Sequence, residues 1–262
     1  MDDSLYFYPD SSGENVDVYV LDSGIDISHP EFQGRASWGL THSNSKKGSK
    51  DDYGHGTHVA GIVASSTFGV AKKANVIAVQ VLDRYGQGSS ADIIHGIQYV
   101  MNRARRNSTR RSIINISFVG PKDRAVDEWL TAAVNMGIPV IAAAGNNADD
   151  SCMYSPAGNE LVYTVGASNQ QDSLASYSNT GKCVNLISPG SEIMSTWPNE
   201  GRMTLSGTSQ AVPHVSGSAA LLLSQQPELT PLELYALLSS TATSNALKVP
   251  TNTVNKLVYN RI

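Results

Sequence analysis

Residues Leu205 to Gly217 read L-S-G-T-S-Q-A-V-P-H-V-S-G, and from Ala211 onward the chain turns small and apolar: Ala211, Val212, Val215, then Ala219 to Leu223. That is the composition of a helix buried against other structure on most of its surface. Pro213 is expected within its first turn, where the missing N–H would have had no partner. Ser209 then lies at the helix N-terminus, where free backbone N–H groups and the positive end of the dipole favour negative charge developing nearby. Ser209 is a candidate nucleophile. The plain alternative is that the Ser and Thr residues here merely cap the helix.

Upstream of this helix, strand-like and helix-like segments alternate. Asn15 to Asp22 (N-V-D-V-Y-V-L-D), Ala74 to Leu82, Ser112 to Phe118, Ile138 to Ala144, Leu161 to Ala167 and Val184 to Ile187 read as strands, with helices at about Ala91 to Arg105 and Val126 to Met136. A last helix is expected at about Pro231 to Thr241, before an extended tail, and Gly34 to Lys50 as a surface excursion. The alternation argues an α/β fold with a doubly wound, mostly parallel central sheet flanked by helices. Strands in such sheets deliver ligand-binding groups at their C-terminal edge. Asp22, followed by Ser23 and Gly24, is placed there, although an Asp before Ser-Gly also makes an ordinary turn.

The 262 residues carry a net charge of -4, with 16% charged. The length suits one large core, and no internal repeat or long linker divides it. No run of about 18 apolar residues is present, so no membrane span is expected. Arg103, Arg105, Arg106, Arg110 and Arg111 cluster, but without interleaved aromatics in an acidic chain they read as a solvated helix end and loop, with no nucleic-acid partner. N-x-S/T sequons occur at Asn107, in a polar loop, and at Asn115, in an apolar strand where a glycan could not sit. Cys152 and Cys183 could form one disulfide, whose loop of about 30 residues would stabilise by roughly 3 to 4 kcal/mol, or could remain two buried thiols.

Tyr53 to Ala64 (Y-G-H-G-T-H-V-A-G-I-V-A) begins with two histidines and becomes a small-residue helix. His55 and His58 are neighbours on it. A metal site with Asp51 or Asp52 is conceivable, but the spacing is not that of zinc helices and no third ligand is evident. A hydroxyl needs a histidine to take its proton and a carboxylate to hold that histidine's tautomer, and Asp22, His55 and Ser209 supply acid, base and nucleophile in that order. Asn146, after the strand ending A-A-A-G, could offer an amide to a developing oxyanion, with the Ser209 N–H as second donor. It could also be an ordinary turn residue. An α/β-hydrolase reading fails, because no G-x-S-x-G elbow occurs and the order of the three groups is wrong.

V-L-D-S-G-I-D, G-H-G-T-H-V-A-G, A-A-A-G-N-N and S-G-T-S-Q-A-V-P-H-V-S-G together resemble the subtilisin-like serine proteases, from about Ser4 to the end. S-H-P-E-F-Q-G-R-A, F-G-V-A-K-K-A and Y-S-P-A-G-N-E-L-V-Y-T-V-G-A-S are similar to the proteinase K branch, and the cysteines in D-S-C-M-Y-S-P and G-K-C-V to the fungal cerevisins. The resemblance implies a serine endopeptidase with an acyl-enzyme on Ser209, His55 as base and His58 as a packing neighbour. It implies a Cys152–Cys183 disulfide, hence an oxidising compartment, secreted or vacuolar. Extended peptide substrates are expected to pair as an added strand between Gly86, Gly88 and Ser90 on one side and Ser117, Phe118 and Val119 on the other, with Ala143 and Gly145 as further substrate-binding residues.

Three departures carry expectations of their own. Val119 stands where relatives have a glycine, and is expected to narrow S1 against large aromatic side chains. Ser90 replaces a tyrosine, leaving S4 open. The calcium site of the branch corresponds to carbonyls of Glu160 and Val162 with Asn185 in place of an aspartate, so calcium is doubtful; the chemistry itself needs no cofactor. The chain is expected to be one monomeric catalytic domain lacking the signal peptide, the first mature residues and the prodomain that would fold and inhibit it.

Overall fold

In the computed structural model, residues 6–41, 50–107 and 109–260 are described. Val16–Asp22 (β1) is buried at every position, which only a strand covered on both faces can be. The other elements follow as β2 (Ala36–Leu40), α1 (His55–Ala64), β3 (Asn75–Gln80), α2 (Ser90–Arg106), β4 (Arg111–Ile116), β5 (Gly120–Pro121), α3 (Arg124–Asn135) and β6 (Val140–Ala143). The second half adds β7 (Tyr154–Ser155), β8 (Tyr163–Ser168), β9 (Leu186–Pro189), β10 (Ile193–Trp197), β11 (Gly201–Leu205), α4 (Thr208–Gln225), α5 (Pro231–Thr241), β12 (Thr243–Ser244) and β13 (Lys256–Leu257).

The main sheet has the order β12-β13-β9-β8-β6-β4-β1-β3-β2, parallel throughout except for the β12–β13 pair at one edge. From β1 the chain goes out to β2 at the sheet edge and back to β3 beside β1, and β4 then lies on the other side of β1. The order therefore reverses beside β1, where open α/β sheets form a crevice. Asp22 ends β1 at that crevice.

Two apolar layers cover the sheet. α1 and α4 pack one face through small residues such as Ala60, Ala64, Ala219 and Ala220, which let helix and strand backbones approach closely. α2 and α3 cover the other through Ile97, Val100, Leu130 and Val134. Capping fixes where helices begin: Ser89 and Asp92 form a reciprocal box at α2, and Thr230 and Glu233 another at α5, with Pro231 as the first helical residue. Among the described residues no helix is long and apolar enough to cross a membrane.

The structure corrects two local expectations and adds a hairpin that the sequence reading did not name. Within the supposed excursion, Ala36–Leu40 is an edge strand, and Trp38 lies over the bare Gly24, where a Cβ would approach its ring to 2.7 Å; residues 42–49 lie outside those described. Pro213 sits in the second turn of α4 and removes the N–H that would have bonded the Ser209 carbonyl. Finally β10 and β11 make an antiparallel hairpin whose turn places Asn199 and Glu200 at φ +62° and +59°, without the Asn-Gly pair that usually announces such a turn.

Candidate active site

Five chain segments meet at the C-terminal edge of the sheet: the end of β1, the start of α1, the residues after β4, those after β6, and the start of α4. Asp22 is wholly buried, and its two carboxylate oxygens lie 2.8 and 2.9 Å from His55 Nδ1. With the carboxylate as acceptor, Nδ1 carries the proton and Nε2 is left as a base. The Ser23 N–H donates to the same carboxylate at 2.8 Å. Behind them the buried Asp51 accepts from Ser23 Oγ, Thr57 Oγ1 and the N–H groups of Gly54 and Thr57. Burial opposes a charge on His55, but the adjacent Asp22 carboxylate, with a smaller contribution from Asp51, outweighs it and holds the imidazole pKa above its ordinary value.

His58 takes no part in this group. It is buried, and its Nε2 donates to the Ile193 and Met203 carbonyls of the β10–β11 hairpin at 3.1 and 3.0 Å. Its Nδ1 has no partner among the described residues. Burial drives its pKa down to about 4. The two histidines point to different partners, and no cluster of three or more His, Cys, Asp or Glu suited to a metal forms among the described residues. Ser195 Oγ and Thr196 Oγ1 donate to the His58 and Thr57 carbonyls, both at 2.8 Å, so the hairpin is fastened along α1.

α4 starts at Thr208 after Gly207, which offers no side-chain cap. Ser209 is therefore not a capping serine. Its hydroxyl donates to the Ser117 carbonyl at 2.6 Å, and no hydrogen bond joins it to His55. Asn146 is exposed, with Oδ1 accepting from the Thr208 N–H at 2.8 Å and from Thr208 Oγ1 at 2.9 Å. That orients the amide so that its NH2 group stays free of the described residues. A Cβ on Gly207 would lie 3.2 Å from Asn146 Nδ2 and 3.7 Å from the Ser209 nitrogen. Both donors thus border the space that the missing side chain leaves.

The remaining expected residues surround this centre. Gly86, at φ +74°, lies against Tyr53; Gly88, Ser90 and Phe118 line a cavity of about 220 Å³, with Ile93 and Val126 in its wall, and Ser90 Oγ donates to Asp123. Ala143 ends β6, and Gly145 follows at φ +107°. Val119 leans over Gly145, whose Cβ would come within 3.2 Å of Val119 Cγ2. The Asn115 sequon is buried, its amide bonded to Ser117 Oγ and Ser216 Oγ.

Cys152 and Cys183 form a disulfide with Cα atoms 5.4 Å apart. Asn185 Oδ1 accepts the Thr164 N–H at 2.7 Å, and its own N–H returns to the Thr164 carbonyl. An amide oxygen already engaged in tying β8 to the entry of β9, and carrying no charge, fits a calcium ion poorly. No step is derived through one.

Sequence reasoning passed over Asn179, Thr208 and Ser23 as contributors to the site. Ser23 and Thr208 adjoin residues that it singled out, so adjacency was a usable signal; Asn179, in Ser178-Asn179-Thr180, had none beyond turn composition.

Residues 13–258 match the model of the Subtilase family, Peptidase S8. A subtilisin-like protease of Coccidioides posadasii is 44% identical over 256 residues, covering 97% of this chain and 63% of that protein. The subtilase-type proteinase psp3 of Schizosaccharomyces pombe is 43% identical over 97% of this chain and 58% of its own length. The cuticle-degrading protease of Metarhizium anisopliae is 42% identical over 98% of this chain and 66% of its own length. The chain thus spans roughly three fifths of the length of such relatives. Among solved structures, a cold adapted subtilisin-like serine proteinase superposes with a TM-score of 0.94 at 40% identity, covering 99% of this chain and 93% of that one. Family model, relatives and fold agree: the chain belongs to the subtilase family.

Proposed function

We propose that this chain is the catalytic domain of a serine endopeptidase that cleaves extended peptides through an acyl-enzyme. The observation that carries the reading is buried Asp22 paired with a partly exposed His55 that faces the same crevice as Ser209, with two unengaged N–H donors, on Asn146 and Ser209, beside Gly207. A substrate strand laid along Ser117 to Val119 would offer its own N–H to the Ser117 carbonyl, displacing the Ser209 hydroxyl toward His55. His55 Nε2 takes the hydroxyl proton as Oγ bonds to the scissile carbon, and Asp22 stabilises the resulting imidazolium. The carbonyl oxygen becomes an oxyanion held by Asn146 Nδ2 and the Ser209 N–H. The C–N bond then breaks and the proton on His55 leaves with the amine; a water deprotonated by His55 attacks the acyl carbon, the bond to Oγ breaks, and His55 returns the proton to Ser209.

The apolar cavity beside Gly88 and Ser90 suits a fourth residue of substrate, and Val119 over Gly145 favours small side chains at the first. The disulfide supports an oxidising compartment, secreted or vacuolar. A monomer, made with a prodomain that assists folding and then inhibits, completes the reading. The test is intact mass after fluorophosphonate treatment of protein folded with a relative's prodomain. One adduct per chain, absent in Ser209→Ala, is expected. Folded protein that takes no label would favour a non-catalytic binding role, with access closed at Val119.

A further inference from the structure

The loop that carries Asn146 has no regular structure of its own, yet an oxyanion donor has to be held to a fraction of an ångström. Thr208 fixes the amide from the α4 side, but the main chain on either side of Asn146 needs a separate support. Asn179, wholly buried between β8 and β9, supplies it. Its Oδ1 accepts the N–H of Asn147 at 2.9 Å and of Asp149 at 3.0 Å. Its Nδ2 donates to the Ala144 carbonyl at 2.9 Å, and its backbone N–H to the Gly145 carbonyl at 2.8 Å. Four hydrogen bonds from one residue therefore straddle Asn146, two before it and two after. The fit depends on Gly145, since a Cβ there would come within 2.4 Å of Asn179 Nδ2.

These side-chain hydrogen bonds of Asn179 all go to this loop, and every one is neutral, so the residue braces the donor without placing a charge beside a developing anion. Further bonds between the same two loops, Ala148 N–H to Tyr177 O and Thr180 N–H to Asp149 O, extend the contact toward the Cys152–Cys183 disulfide. We propose that Asn179 is a positioning residue for transition-state stabilisation, setting the direction of the Asn146 amide from beneath. The inference rests on the reading of Asn146 as oxyanion donor.

The test is a double-mutant cycle on kcat and KM for a peptide anilide, with rates expressed per fluorophosphonate-titrated Ser209 so that misfolded chains do not count. Asn179→Ala is expected to lower kcat roughly 10- to 100-fold with KM nearly unchanged, because the donor is needed only in the transition state. In an Asn146→Ala background the same change is expected to matter less than about 2-fold, the mark of two residues acting as one unit. Asn179→Ser, which keeps a hydroxyl under the loop, should fall between Asn179→Ala and the parent, and serves alone if the alanine variant yields no titratable sites. Equal losses in both backgrounds, or a change in melting temperature or KM with kcat intact, would overturn the proposal. If Asn146→Ala lowers kcat while the Asn179 variants do not, this proposal alone fails. Undiminished kcat in Asn146→Ala removes the oxyanion reading and this proposal with it.

Discussion

The two sides of the candidate site are built from different materials. On the β1–α1 side, Asp22, His55 and Asp51 bring carboxylates and an imidazole together, with hydroxyls and N–H groups satisfying the buried oxygens. On the β6–α4 side, Asn146, Asn179 and Thr208 form a frame with no ionisable group in it. In the proposed reaction the first side has to gain and lose a proton during turnover, so its environment must favour charge. The second has only to stay where it is while charge comes to it. Amides and hydroxyls, which do not titrate, suit that task at any pH.

Removing one element from each side measures the difference. Asp22→Asn is expected to lower kcat by about 10⁴-fold, because the imidazole loses its tautomer and its counter-charge. Asn146→Ala is expected to lower it about 10²- to 10³-fold, a magnitude known from another subtilase. Steady-state kinetics on one substrate would compare them, and equal losses would erase the distinction between the two sides.

Acid stability probes the helix that carries His55. The folded pKa of His58, about 4, lies below its ordinary 6.5, so the unfolded chain takes up the proton first as pH falls. The contribution is intact above about pH 6.5 and is lost progressively toward pH 4, amounting to about 3 kcal/mol. His214, on α4, is also driven down to about 4 and adds in the same direction. Urea midpoints measured between pH 7 and 4 should fall in the parent protein and fall less in His58→Asn. A flat profile would mean that the α1–hairpin contact does not depend on a neutral imidazole.

Val119 tests the neutral side at its mouth. Val119→Gly is expected to raise kcat/KM for Phe over Ala at the first substrate position by roughly 10-fold, the usual scale for a pocket altered by a few methyl groups. An unchanged ratio would leave Val119 without a role in specificity. The smallest effect lies in the pH profile. Because Asp22 holds the His55 pKa above 6.5, the acid limb of kcat/KM should have its midpoint above that value, and a midpoint below it would mean that burial wins over the carboxylate.

Much of this arrangement is readable along the chain because the candidate residues sit where glycine and small residues must be. Asp22 ends an apolar run, His55 opens a helix of small residues, and Ser209 follows a Gly-Thr pair; each marks a strand-to-helix junction by itself. Asn179 is different: the chain places it 33 residues after Asn146, in a turn that looks like any other, and only the packing of two loops gives it a purpose. β2 was hidden because its strand lies at the sheet edge, and the β10–β11 hairpin because Glu200, beside Asn199, adopts a left-handed conformation that its residue type does not announce. Pro213 misled in the other direction, since the buried packing of α4 carries the helix on through it.

The β10–β11 hairpin is fastened to α1 by Ser195, Thr196 and His58, and its second strand runs directly into Gly207 and Ser209. The proposed base and nucleophile are in effect two tools clamped in one jig. If the hairpin peels away on heating, both go out of register together while the sheet beneath stays assembled. Activity should then vanish at a lower temperature than the far-ultraviolet signature of the fold, and deuterium should enter the hairpin amides first.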